Sequence, residues 1–257
     1  LKLSKIGEIK LIQHREIEGK IKTCTIKRDV DQWYVSFSVE MDNIPCTEMT
    51  GKSIGIDVGL KSLITLSNGQ QIEPPQFLRQ SENKLARQQR NLSRKKKGSN
   101  NRNKQRIKVA KLHLNIRNQR LDFAHKLSRE LVNAYDRIIF EKLQIQNMVK
   151  NHHLAKSISD AGWNQLIQFT KHKAEHAGKV VELVDPKNTT QNCSSCGNKV
   201  PKSLSVRTHK CSYCGLEMDR DVNAAINILQ KVGQEMPELT PVEMFVGTSV
   251  KQEAAVL

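Results

Sequence analysis

No stretch of this chain stays apolar long enough to cross a bilayer, and its first residues alternate charged with apolar side chains. Neither a membrane helix nor a signal peptide is expected, and the default compartment is the cytoplasm. There is no internal repeat. Acids are in deficit: 26 Asp and Glu stand against 42 Lys and Arg, a formal net charge of +16. Aromatic residues make up only 4% of the chain, and no Trp- or Phe-rich apolar face accompanies the basic residues, which argues against a membrane surface as their partner. Cysteines are few, and four of the six fall in two CxxC pairs; in a large basic chain that pattern points to metal and not to disulfides. The isolated Cys24 and Cys46 lie in strand-like sequence and read as buried thiols. The first residue is Leu1, not Met, so the expectation is a fragment or a trimmed chain.

The positive charge is concentrated. Between Arg79 and Arg129 there are 17 Lys or Arg and two acids, which leaves 25 basic and 24 acidic residues for everything else. A local excess of that size repels itself unless a polyanion covers it, so nucleic acid is the expected partner. Arg87, Arg90, Arg94, Lys95, Lys96, Lys97, Arg102, Lys104 and Arg106 are the candidate phosphate contacts.

Period-two alternation over residues 1–41 predicts three or four antiparallel strands, with turns at Glu18-Gly19 and Arg28–Asp31. They make a small β unit, read as part of a barrel over 1–50, with a linker around Pro45 and Gly51. From Ser53 the pattern changes. "SIGIDVG", "SLITLS" and "QQIEPP" read as strands, the last two joined by a hairpin at Asn68-Gly69. Residues 78–134 have helical periodicity, and "KKKGSNNRNK" reads as the loop between two antiparallel helices, a basic hairpin over 79–134. "RIIFEKL" is a buried strand, 147–158 a loop, 159–177 a helix ending at Gly178, "KVVELVD" a strand, and "DRDVNAAINILQKV" a last helix over 219–233. Residues 234–257 read as an extended tail. The order predicts an α/β domain with a mixed sheet over 51–186.

Two sites stand out. Cys193-x2-Cys196 and Cys211-x2-Cys214 place two thiolates each on a tight knuckle, with Gly197 and Gly215 where the backbone must turn. Four sulfurs fill a tetrahedron around one Zn²⁺, leaving no open position, so the zinc of this 187–218 ribbon is expected to be structural. The string His172-Lys-Ala-Glu175-His176 matches a metalloprotease pattern, but no third ligand is evident nearby and it is set aside. The second site is acidic. Asp57 and Glu141 each interrupt an otherwise apolar strand, which is costly unless the acid is paired or metal-bound. Asp219 and Asp221 open the last helix; at i and i+2 they cannot face the same way, and periodicity does not choose between them.

At "GIDVG", "FEKL" and "CGLEMDRDVNAAINI" the chain resembles the TnpB (OrfB) family of transposon-encoded proteins, relatives of type V CRISPR effectors. The resemblance extends to "WYVSFSVE", "LSRKKKGSNNRNKQR" and "HHLAKSISDAGW", and covers about residues 3–233. It implies a ribonuclease H-like (RuvC) nuclease core with a basic helical insertion and an inserted zinc ribbon, preceded by part of a wedge β-barrel. It picks Asp221 over Asp219, which is left as an N-cap. Asp57, Glu141 and Asp221 would hold two Mg²⁺ or Mn²⁺ ions for phosphodiester hydrolysis. A guide RNA from the transposon end and a DNA target are the implied partners, in a prokaryotic, nucleoid-associated setting. Full-length members carry an N-terminal recognition domain and more of the barrel, neither of which is in this sequence. That departure keeps a second reading in play, a truncated or non-cleaving guided binder that represses. Strand joining by a true transposase and a purely RNA-binding zinc ribbon rank lower.

Overall fold

The computed structural model describes residues 1–14, 16–41, 48–203, 206–233 and 250–255. The chain divides into two compact units, one from 1–45, 83–115 and 239–257, the other from 46–82 and 116–238. Among the described residues no helix is long and apolar enough to cross a membrane.

In the first unit, β1 (Lys2–Leu3) pairs with β2 (Gly7–Glu8), and β3 (Lys20–Asp29) pairs antiparallel with β4 (Gln32–Glu40). Val30 takes φ +58° in the β3–β4 turn, where the sequence calls for one. Val35, Phe37 and Val39 of β4 are buried beneath Leu1, Leu11 and Ile17. Every residue of β3 except Asp29 is exposed, Cys24 included, so the reading of Cys24 as a buried thiol is wrong: strand alternation does not bury a residue whose sheet is uncovered there. Cys46 lies outside the described residues. Val250–Ala255, read as extended tail, pairs antiparallel with β4 on its other edge; residues 234–249 are outside the described set.

The second unit is built on a five-stranded mixed sheet. Its strands are β5 (Ser53–Val58), β6 (Ile64–Leu66), β7 (Gln71–Ile72), β8 (Arg137–Glu141) and β9 (Val180–Val184), in the order β7-β6-β5-β8-β9. β5, β6 and β7 form an antiparallel meander, whereas β8 is parallel to β5 and β9 parallel to β8. Ile54, Ile56, Ile138 and Phe140 share a core with Leu127, Leu131, Trp163 and Leu166. At the starting end of the strands, Asp136 accepts the Gly51 amide at 2.5 Å and pairs with buried Lys179, whose ammonium also donates to the Val132 carbonyl. That end of the sheet is therefore closed by a buried ion pair.

The helices are α1 (Phe77–Ser93), α2 (Asn100–Ala134), α3 (Ile145–Met148), α4 (His152–Ala161), α5 (Trp163–His176) and α6 (Arg220–Gln230). The two units meet in sequence within α1 and α2. The loop between these helices is shorter than the sequence suggested. Ser99 Oγ accepts the Arg102 amide, as an N-cap does, and Arg102 Nη1 donates to the Leu92 and Lys95 carbonyls, so helix resumes at Asn100. The expected loop at 147–158 is largely helical. Asn151 caps α4 by accepting the His153 amide, and Gly162 at φ +63° separates α4 from α5, so the single helix expected at 159–177 is two.

Helix α6 lies against β5 at unusually short range, and Gly55 is the reason. A Cβ there would fall against the Ala225 carbonyl oxygen and 2.7 Å from the Leu229 amide nitrogen. Gly55→Ala should therefore cost about 1–3 kcal/mol through overpacking, read as a lowered midpoint in urea denaturation.

Candidate active site

Ile56 of β5 stands opposite Phe140 of β8 in the parallel register. The next residues, Asp57 and Glu141, are thus neighbours at the carboxyl ends of adjacent strands, where strands lie about 4.8 Å apart. Their side chains emerge on the same face, the one on which Gly55 receives α6, since residues i and i+2 share a face. The first turn of α6 brings Asp221 to this place. Asp219 Oδ1 accepts the amides of Asp221 (2.8 Å) and Val222 (3.2 Å), so the two acids left open by periodicity are separated by role: Asp219 caps the helix.

Asp57 and Glu141 are buried, with 8% and 6% exposure. Burial, and then the charges of Glu141 and Asp221, push the Asp57 carboxyl well above the ordinary range, while Arg220 pulls it partly back. Burial also raises Glu141, opposed by a hydrogen bond from Thr189 Oγ1 at 2.7 Å. Two buried acids with a third brought beside them form a site that calls for cations, and their hard oxygen atoms suit Mg²⁺ or Mn²⁺. They are not drawn tightly together: among the described residues only the four cysteines bring three or more possible ligand atoms within 4.8 Å of one another.

In that cluster Cys193 Sγ is 3.6 Å from Cys214 Sγ, and Cys196 Sγ is 3.5 Å from Cys211 Sγ. A tetrahedron with legs of about 2.3 Å has edges of about 3.8 Å, so the quartet fits a metal ion of zinc's size. Gly197 and Gly215, at φ +73° and +77°, return their amides to the Cys193 and Cys211 carbonyls and close the two knuckles. The Asn198 backbone amide draws the Cys196 thiol down to about 6. His172 and His176 sit side by side on α5 but gather no third ligand among the described residues.

Residues that the sequence reading overlooked join the two sites. Asn223 and Asn227, one turn apart on α6, are buried and donate to the Asn192 carbonyl, and Asn227 also donates to that of Thr189. Asn223 Oδ1 accepts the Ser194 amide. The segment leading into the first knuckle is thereby fastened to the helix that carries Asp221, and it sets Thr189 on Glu141. Two Asn at i and i+4 in an otherwise apolar helix were the available signal.

Most of the candidate phosphate contacts are exposed on the α1–α2 hairpin: Arg87, Arg90, Arg94, Lys96, Lys97, Lys104 and Arg106. Lys95 is half-buried, and Arg102 is half-buried with one arm committed to the turn.

The raised Asp57 has a consequence for stability. Below the carboxylate's unfolded value the acid is neutral in both states and costs nothing; the penalty grows as pH rises toward and through its folded value. In Mg²⁺-free buffer Asp57→Asn should therefore stabilise the chain near pH 7.5, on the order of 1–3 kcal/mol. The gain should shrink toward pH 4 in thermal melts.

Comparison with known proteins agrees with this architecture. The OrfB_IS605 family model, described as probable transposase, matches residues 36–152, and the Cas12f1-like TNB domain model matches 163–228. A candidate RNA-guided DNA endonuclease of Streptomyces pristinaespiralis is 42% identical over 80% of this chain and 52% of its own length. InsQ of Escherichia coli K12, named in the same terms, is 33% identical over 88% of this chain and 60% of its own. The chain thus spans little more than half the length of these relatives. Among solved structures, the Cas12f1–sgRNA–target DNA complex matches in fold with a TM-score of 0.51 at 19% identity, over 80% of this chain and 55% of that one. The chain belongs to the TnpB (OrfB) family, related to the type V CRISPR effectors.

Proposed function

We propose that this chain carries the nuclease centre of a transposon-associated, RNA-guided DNA endonuclease, and that Asp57, Glu141 and Asp221 are its catalytic acids. The observation that carries the reading is the convergence of three acids, two of them side by side and buried on parallel strands, with Asp57 held far from its ordinary titration range. Two divalent cations, Mg²⁺ or Mn²⁺, would supply Lewis acidity to the scissile phosphate and the attacking water. Asp57, Glu141 and Asp221 would hold them. Glu141 would be oriented by Thr189, and Asp221 by the capped start of α6.

The remaining assignments follow the same reading. Residues 51–186 and 219–233 form a RuvC-like core, 187–218 a zinc ribbon on Cys193, Cys196, Cys211 and Cys214, and 1–50 part of a wedge barrel. The exposed cations of the α1–α2 hairpin track the phosphates of the guide RNA or the DNA target. Base pairing, not the protein, supplies sequence specificity in such a system. The names of the relatives support this choice of substrate and partner.

The test is purification from cells carrying the native locus, followed by Mg²⁺-dependent cleavage of plasmid matching any bound RNA. Replacing Asp57, Glu141 or Asp221 singly by Ala should lower cleavage by about a thousandfold or more, the loss of several kcal/mol of transition-state stabilisation, with RNA retained. RNA bound without cutting by the unaltered chain would favour the guided binder instead. Separately, Lys96→Gln and Lys97→Gln should flatten the dependence of log affinity on log salt by about 0.7–0.9 for each phosphate no longer neutralised, measured by filter binding across a salt series.

A further inference from the structure

Both carboxylate oxygens of Asp221 face a guanidinium. Arg220 places Nε 3.1 Å and Nη2 2.9 Å from Oδ1, and Arg207 brings Nη1 to 3.6 Å from Oδ2. The two arginines are differently held. The Arg207 side chain is half-exposed, and at 3.6 Å its approach is loose. The Arg220 side chain is only 11% exposed. Its Nη1 donates to the Val206 carbonyl at 3.2 Å, and its backbone amide to the Arg207 carbonyl at 2.7 Å. Its charge also reaches Asp57, which it partly stabilises as the anion. Arg220 is therefore held on Asp221 and anchored from the ribbon side.

A hard cation needs direct access to carboxylate oxygen, at about 2.0–2.1 Å for Mg²⁺. Asp221 Oδ1 instead receives two N–H groups from one guanidinium. The same atom cannot serve both at full strength.

We infer that Arg220 is a built-in counter-cation of the acidic site, occupying Asp221 in the metal-free chain and yielding it when a divalent ion binds. This rests on the proposed nuclease reading. The exchange is cation for cation: the guanidinium leaves Asp221 Oδ1 with its charge intact. Because the arm is tethered at Val206, it stays near the site after release, at a position suited to a phosphate oxygen. The competing explanation is that Arg220 merely fastens the 206–207 segment to α6.

Mn²⁺ binding to the full, zinc-loaded chain separates the two, read as free Mn²⁺ by electron paramagnetic resonance. Removing one charge-assisted competitor should tighten Mn²⁺ binding in Arg220→Gln by about tenfold, with Arg220→Lys between it and the unaltered protein and Asp57→Ala losing the site. Unchanged or weaker binding by Arg220→Gln, at native zinc content and melting temperature, overturns the inference. Should that variant lose zinc or unfold, the unaltered chain decides by arginine side-chain NMR. Saturating Mg²⁺ should shift the Arg220 Nε–H signal and speed its exchange with water, and an unmoved signal overturns the inference. If the unaltered chain and Arg220→Gln both lack Asp57-dependent Mn²⁺ binding, the nuclease reading falls along with this one.

Discussion

The close seating of α6 on β5 is the constraint on which the rest of the acidic site depends. Asp57 belongs to the central strand and Asp221 to a helix 164 residues later in number, so their meeting requires helix backbone to approach strand backbone without an intervening side chain. Gly55 provides that clearance one strand period before Asp57. The helix is then fixed along its axis at both ends. Asp219 satisfies its first amides, and Arg137, itself paired with Glu182, donates to the Val232 and Gly233 carbonyls beyond its last turn. Sliding the helix would break one set of bonds or the other.

What is gained sterically is opposed electrostatically. Packing three acids at one end of a hydrophobic sheet runs against the pattern that stabilises the remainder of the unit, and Asp57 bears most of the penalty. The surroundings offset it piecemeal. Thr189 donates to Glu141, Arg220 and Arg207 cover Asp221, and Lys231 lowers Glu141 from a distance while donating to the Asp185 and Lys187 carbonyls. By contrast, the starting end of the sheet, where Lys179 meets Asp136, has its charges matched in pairs. Of the two ends of the sheet, the crowded acids lie at the one where chemistry is proposed.

Much of this was legible in the sequence. Asp57 and Glu141 announced themselves because an acid inside an apolar strand has no inexpensive explanation, and the cysteine pairs because a knuckle needs two thiols and a glycine at fixed spacing. Asp221 was not separable from Asp219 by periodicity; the hydrogen bonds of Asp219 make the distinction visible. Asn223 and Asn227 left a signal in their i, i+4 spacing, but Thr189 and Arg220 were out of reach for another reason. Their importance lies in partners brought near by tertiary packing, and a threonine or arginine looks the same in sequence whether it holds a carboxylate or points at water. The loop expected at 147–158 was wrong because α4, although Leu154, Ala155, Ile158 and Ala161 fall at helical spacing, is only ten residues long, with its limits set by Asn151 and Gly162.

The place of the cysteine knuckles in the chain also orders the three acids in time. They lie in the chain between Glu141 and Asp221, and Asn223 and Asn227 fasten their leading segment to the helix that follows. During synthesis the first two acids therefore leave the ribosome well before the third, and the segment between them carries all four clustered cysteines. On the proposed assignment, a half-made chain cannot cut.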